Sequence, residues 1–208
     1  IMINLLTQNS KLKKTSKTNN KRIFNFSIPA HKTKSGKIVC PFAKACLSYC
    51  YAQKGNYTRF PVVRELMEQK YTITKQSNFA DLMHAEIKNK RADVVRLHDS
   101  GDFYSIKYLL KWVQIANRNK NILFYAYTKS VPFFKKESII NLIPENLKII
   151  YSLGSKKDNL INLDQDRHAR IFTGINAEND LIASGYINAT NNDLNATTDN
   201  KKVGLVFH

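Results

Sequence analysis

The sequence predicts an α/β fold, a partial (β/α) barrel of about six mostly parallel strands. Three observations point there. First, short runs rich in β-branched and aromatic residues alternate with helix-period stretches, at intervals of roughly 25–30 residues. Second, each such run empties at its C-terminal end into small and polar residues: His98-Asp99-Ser100-Gly101-Asp102, Thr128-Lys129-Ser130, Ser152-Leu153-Gly154-Ser155-Lys156 and Thr173-Gly174-Ile175-Asn176. Third, the only three cysteines of the 208-residue chain, Cys40, Cys46 and Cys50, follow the first strand. A barrel therefore puts them on the same face as those loops, where such folds carry their chemistry.

Residues 8–22 are polar, basic and aperiodic. They read as a mobile arm, residues 1–22 in all, able to touch phosphate. A single α/β domain, residues 23–208, follows, with the cysteine loop at 40–50. Residues 23–28 alternate apolar and polar, the strand period, and Pro29 ends them. Residues 30–39 form a basic loop with a turn at Ser35-Gly36. Pro61 suits the first turn of a helix, with Val62, Val63, Leu66, Met67 and Tyr71 at helical spacing. Ser77 or Asn78 caps the next helix, whose apolar face carries Phe79, Leu82, Met83 and Ile87.

Residues 94–98 are the second strand. The helix after it carries the stripe Tyr108, Leu109, Trp112, Val113, Ile115 and Ala116, with Asp102 or Ser105 as its cap. Residues 122–127 form a strand, 133–142 a helix, and 147–151, 170–173 and 202–207 further strands. The Asn/Thr-rich stretch 187–200 reads as an exposed loop.

Three thiols are one too many for a single disulfide and one too few for a closed tetrahedral zinc site, unless a histidine such as His31 or His98 completes it. They suit an iron–sulfur cluster with one iron open. They also allow three buried small hydrophobes, or a cysteine nucleophile paired with His98, although no thiol-enzyme signature accompanies them. The setting, a loop rich in Lys, Pro and Ser, favours a metal.

No apolar run approaches the roughly 20 residues of a membrane span, and no secretory leader is visible. Unpaired cysteines then point to the reducing cytoplasm. Lys and Arg number 33 against 16 acidic residues, a formal net charge of +17 with a pI near 9.8. Such a field draws polyanions, so DNA or RNA is the expected partner. An AT-rich coding sequence accounts for abundant Lys and Asn, but less well for the shortage of Asp and Glu.

At the strand ends, Gly101 lets a ligand approach the backbone. Asp102 suits an amine or a ribose hydroxyl, and His98 a metal or a proton. Lys129, among Tyr127, Thr128 and Ser130, suits a carboxylate or phosphate; an ordinary surface lysine reads equally well.

Cys46-Leu47-Ser48-Tyr49-Cys50-Tyr51-Ala52 resembles the cysteine loop of radical S-adenosylmethionine (SAM) proteins, which follows the first barrel strand. More closely, the chain resembles the gene-product-88-like proteins of phages and mobile elements. Three segments carry this resemblance: the C-P-x4-C-x3-C loop from Cys40-Pro41 to Cys50, Val95-Arg96-Leu97, and Phe124-Tyr125-Ala126-Tyr127-Thr128-Lys129. The match runs from about Leu6 to the last strand. The resemblance implies a radical-SAM-like fold with a [4Fe-4S] cluster on Cys40, Cys46 and Cys50, SAM on the open iron, and an external electron donor. Ser100-Gly101-Asp102 falls where radical SAM proteins receive the SAM amino group. With Tyr51, His98, Thr128, Lys129 and Ser152 it forms the implied cofactor set, and Arg96, Tyr127 and Lys156 the implied substrate contacts. The cysteine spacing here is x5/x3, against x3/x2 in radical SAM proteins.

Overall fold

The computed structural model describes residues 3–44 and 60–207. The chain runs α1 (Ser10–Asn19), β1 (Ile23–Phe26), α2 (Pro61–Lys75), α3 (Phe79–Lys90), β2 (Val94–Leu97), α4 (Ile106–Arg118) and β3 (Leu123–Thr128). It continues through α5 (Val131–Phe134), α6 (Glu137–Ile140), β4 (Leu147–Ser152), β5 (His168–Thr173), α7 (Ala177–Ala183), β6 (Ile187–Asn188) and β7 (Lys202–Phe207). Short 3-10 turns lie at Asp158–Leu160 and Asp193–Thr197.

Among the described residues the strands form one seven-stranded sheet in the order β1-β2-β3-β4-β5-β7-β6, with each pairing parallel. It curls into a half-barrel. Its outer face carries Phe24, Phe26, Val95, Leu97, Phe124, Ala126 and Tyr151, packed under the helices in one apolar cluster. Trp112 of α4 anchors that layer, its ring centroid 5.3 Å from Phe26 and 5.6 Å from Phe79. The stripe predicted for α4 is buried residue for residue, and Ser105 is its cap, accepting a hydrogen bond from the Tyr108 N–H at 3.1 Å.

The inner face is covered by two pieces that the sequence reading missed. The supposed mobile arm contains α1, which lies in the half-barrel with Leu12 and Thr15 buried. Its stability comes from caps and polar contacts rather than an apolar stripe. Asn9 accepts from the Leu12 N–H, Asn20 closes the C-terminus in the left-handed region, and Ser16 Oγ accepts from Ile23 N–H. The supposed exposed loop 187–200 supplies β6 and a 3-10 turn, with Ala189, Asp193 and Ala196 fully buried against Leu12, Tyr125 and Val203. The predicted helix over 133–142 is two short helices.

One carboxylate ties this cover to the sheet. Asp193 takes Lys11 Nζ at 2.7 Å, Arg96 at 3.1 Å and the Tyr125 hydroxyl at 2.5 Å. Burial alone raises an aspartate's pKa; here Arg96 and Lys11 outweigh it and hold Asp193 below the usual range. A carboxylate lowered in the fold stabilises above the ordinary aspartate pKa, and that contribution is lost as pH falls through the folded value.

A second buried charge lacks such partners. Lys70 of α2 is fully buried; its Nζ has no hydrogen-bond partner among the described residues and lies 5.8 Å from the Phe26 ring centroid. Burial pushes it down to about 8, partly opposed by Glu86.

Unfolding measurements test both groups. Asp193→Ala strands Arg96 and Tyr125 in the interior and is expected to cost about 3–5 kcal/mol in urea unfolding. A loss of about 1 kcal/mol or less, typical of a solvated pair, would contradict the arrangement. Lys70→Met is expected to raise the midpoint of thermal unfolding at pH 7. Because the folded pKa of Lys70 is depressed from 10.5 to about 8, the parent gains about 3 kcal/mol between those pH values. The advantage of Lys70→Met should therefore be widest below pH 8 and close towards pH 10.5. A pH-independent gap would contradict it.

Candidate functional site

The ends of β1 to β4 meet at one pole, and their loops are stitched together by hydrogen bonds. The first stitch joins the end of β1 to the β2 loop. Ile28 N–H donates to Ser100 O at 3.1 Å, and Gly101 sits at φ +83° with Ile28 Cγ1 only 2.3 Å from where a Cβ would stand. Any side chain at Gly101 would push the two loops apart.

The second stitch is Asp102, buried at 6% exposure. Its carboxylate accepts from Phe103 N–H at 2.7 Å, Thr128 Oγ1 at 2.6 Å and Lys129 N–H at 2.9 Å. Burial pushes its pKa up to about 6 against those bonds and the Lys129 charge. Lys129 Nζ then crosses to β4, donating to Ser152 O at 3.1 Å, Ser152 Oγ at 3.0 Å and Leu153 O at 2.7 Å. Asp102, Thr128, Lys129 and Ser152 thus form one frame. The Lys129 ammonium, read from sequence either as suited to a carboxylate or phosphate or as an ordinary surface lysine, donates to the Ser152 and Leu153 carbonyls and to the Ser152 hydroxyl.

The third stitch brings in the cysteine loop. Ser155 Oγ donates to Lys129 O at 2.9 Å, Lys156 N–H donates to Phe42 O at 2.9 Å, and Lys156 Nζ reaches Pro41 O at 3.1 Å. Phe42 packs edge-on against Phe133, ring centroids 5.3 Å apart. Lys156 thereby acts on the loop backbone. Cys40 is half-buried at this pole, and its Sγ accepts from His31 N–H at 3.4 Å. His31 has a left-handed backbone, φ +59°, and its Nδ1 is buried with no hydrogen-bond partner among the described residues. Burial, Lys32 and Lys156 lower its pKa, which keeps the ring neutral. Cys46, Cys50 and Tyr51 lie outside the described residues. Among the described residues no group of three or more His, Cys, Asp or Glu side chains gathers in a way that could hold a metal.

His98 does not join the pole. Strand alternation would turn it to the inner face after Leu97, but its backbone flips to φ +62° and sends the ring into the outer apolar layer. There its Nε2 pairs with Tyr108 OH at 2.9 Å and its ring meets Phe103 edge-on at 4.6 Å. Burial pushes His98 down to about 3, so it stays neutral and structural. Its Nδ1 is buried with no hydrogen-bond partner among the described residues.

Arg96 and Tyr127 do lie together on the inner face below the pole, the guanidinium carbon 5.3 Å from the Tyr127 ring centroid. Arg96 also approaches Asp99 at 3.8 Å, and Asn9 of the α1 cap donates to Asp99 at 2.9 Å. Burial and Asp193 raise the Tyr127 pKa, so its phenol keeps its proton. The Tyr127 hydroxyl, Asn25 Oδ1 and Ser100 Oγ are buried with no hydrogen-bond partner among the described residues. Lys11, Asn9 and Asp193, which complete this polar interior, were not predicted. The available signal was Asp193 itself, an acid in a chain with few.

Comparison with known proteins gives a consistent family and little beyond it. The gene product 88 family model matches residues 4–206. The Gene 88 protein of Mycobacterium phage L5 is 24% identical over 188 residues, covering 73% of this chain and 77% of that protein. The Gene 88 protein of Mycobacterium phage D29 is 27% identical over 145 residues, covering 60% of each. No solved structure matches the chain. No helix among the described residues is long and apolar enough to cross a membrane. With nearly its full length matched by the family model, this chain belongs to the gene product 88 family of phage proteins.

Proposed function

We propose that the chain is an iron–sulfur, radical-SAM-like enzyme of phage or mobile-element origin, acting on a nucleic acid or nucleotide-linked substrate in the host cytoplasm. The observation that carries the reading is Cys40 at the C-terminal pole of an all-parallel half-barrel, on a loop held to the β4 loop through Phe42 and Lys156. That pole is where (β/α) folds do their chemistry. Cys40, Cys46 and Cys50 would hold a [4Fe-4S] cluster, three thiolates leaving one iron open. The cluster and SAM would together supply a reductively generated radical, fed by an external electron donor.

The chain's own residues divide into two kinds in this reading. Asp102, Thr128, Lys129 and Ser152 are engaged with one another, so they position loops rather than receive SAM. Ser100 Oγ and Tyr127 OH, buried and without hydrogen-bond partners among the described residues, are among the polar atoms a ligand could engage. An unpaired buried hydroxyl costs roughly 1–3 kcal/mol, which a bound polar group would recover.

A second reading is a structural zinc site in a nucleic-acid-binding protein. His31 beside Cys40, its Nδ1 buried and without a hydrogen-bond partner among the described residues, favours it as the fourth ligand. His98 faces the outer apolar layer, against Tyr108 and Phe103, rather than Cys40.

Anaerobic protein should contain about four iron and four sulfide per chain. Its dithionite-reduced paramagnetic resonance signal should change when SAM is added. Cys40→Ala should lose the iron while keeping its circular dichroism. A cluster signal indifferent to SAM would remove the SAM enzyme, and stoichiometric zinc with no iron would move the assignment to the second reading.

A further inference from the structure

The opposite pole of the sheet carries a feature that the cysteine loop does not explain. Two adjoining hollows meet there, sharing Arg22 and Asp93 in their walls, one under the end of α1 and the other between the ends of α3 and α4. Seven cationic side chains line them against one carboxylate, Asp93. Arg22 is engaged by Asp93, and Arg118 by Asp81. Lys17, Lys21, Lys88, Arg91 and Lys120 are exposed and have no ion pair among the described residues.

Helix C-termini attract cations, and three helices end here. Each helix end contributes only roughly half a negative charge. Together with Asp81 and Asp93, this leaves about half of the seven cations uncompensated. The charge therefore exceeds what the helix ends require. A hollow walled by cations of one sign concentrates the field and favours an extended polyanion. Its apolar wall residues are Ile87, Ala92 and Ile122, with no Phe, Tyr or Trp. Unstacked bases need aromatic platforms, so this wall suits the regularly spaced phosphates of a duplex.

We infer that the N-terminal pole is a sequence-independent anchor for the phosphate backbone of duplex nucleic acid, separate from the cysteine pole. β3, the strand between the two poles, is six residues long, roughly 20 Å at about 3.3 Å per residue. The anchor thus grips the duplex at a distance from any chemistry. It does not depend on the cluster.

The test is fluorescence anisotropy of a short labelled DNA duplex across a salt series, with Lys88→Glu/Arg91→Glu/Lys120→Glu beside the parent. The parent should bind with a steep salt slope. Each phosphate that the variant no longer neutralises should flatten that slope by about 0.9, and the triple variant should bind at least about tenfold more weakly at low salt. Lys32→Glu/Lys37→Glu, at the cysteine pole, and Cys40→Ala should bind within about twofold of the parent. A neutral Lys88→Gln/Arg91→Gln/Lys120→Gln variant should fall between, with unchanged circular dichroism. Four results would overturn the inference: no duplex binding by the parent, equal binding by the triple variant, a weakening shared by the cysteine-pole variants, or a preference for single strands. Selective loss of binding to phosphatidylserine vesicles, with duplex binding intact, would also overturn it by assigning the surface to membrane lipid.

Discussion

An open half-barrel leaves its inner face without the strands that would close it, and the fold depends on covering that face. In this chain the cover is assembled from the two ends of the sequence, α1 and the segment around Asp193, which meet inside the curl. Neither piece is apolar enough to stay by burial alone. The buried carboxylate of Asp193 joins them to β2 and β3 through Lys11, Arg96 and Tyr125. Removing an ion from water costs several kcal/mol, repaid only when its partners are well placed. That dependence makes the network unforgiving, and it also fixes where Arg96 and Tyr127 stand.

Above this interior, the strand-end loops form a frame rather than an open set of reactive groups. Asp102 joins the β2 and β3 loops, Lys129 joins β3 to β4, and Ser155 and Lys156, both donating to Phe42 O, join β4 to the start of the cysteine loop. A loop that presents metal ligands needs such support, because small misplacements forfeit chemistry. Asp102 and Lys129, which stand out in the sequence, are therefore occupied in holding these loops together. Ser100, Tyr127, His31 and His98, also singled out there, each keep a buried polar atom with no hydrogen-bond partner among the described residues.

The strands were legible because a parallel sheet buried on both faces needs short β-branched and aromatic runs, and those runs recur between helix stripes. The α4 stripe and the Ser105 cap could be read for the same reason. What escaped was structure held by polar contacts. α1 buries one leucine, and the segment 187–200 carries its burial on alanines and one aspartate, so both resemble solvated chain. His98 escaped because a single left-handed residue reverses the face that alternation assigns. Ser100 and Arg96 were singled out through segments that carry the resemblance, and Cys40 by clustering with the other cysteines. Their partners depended on contacts as distant as the one from Thr15 to Asp193, which no local pattern carries.

If the C-terminal pole of this half-barrel is a metal pole, iron should be visible there. Crystals grown and frozen without oxygen, measured on both sides of the iron absorption edge, would decide it. The expected result is an anomalous iron peak bonded to Cys40 Sγ, between the ends of β1 and β4, with density for Cys46 and Cys50 reaching the same cluster. Iron-free crystals with Cys40, Cys46 and Cys50 pointing to separate surroundings would refute the metal pole.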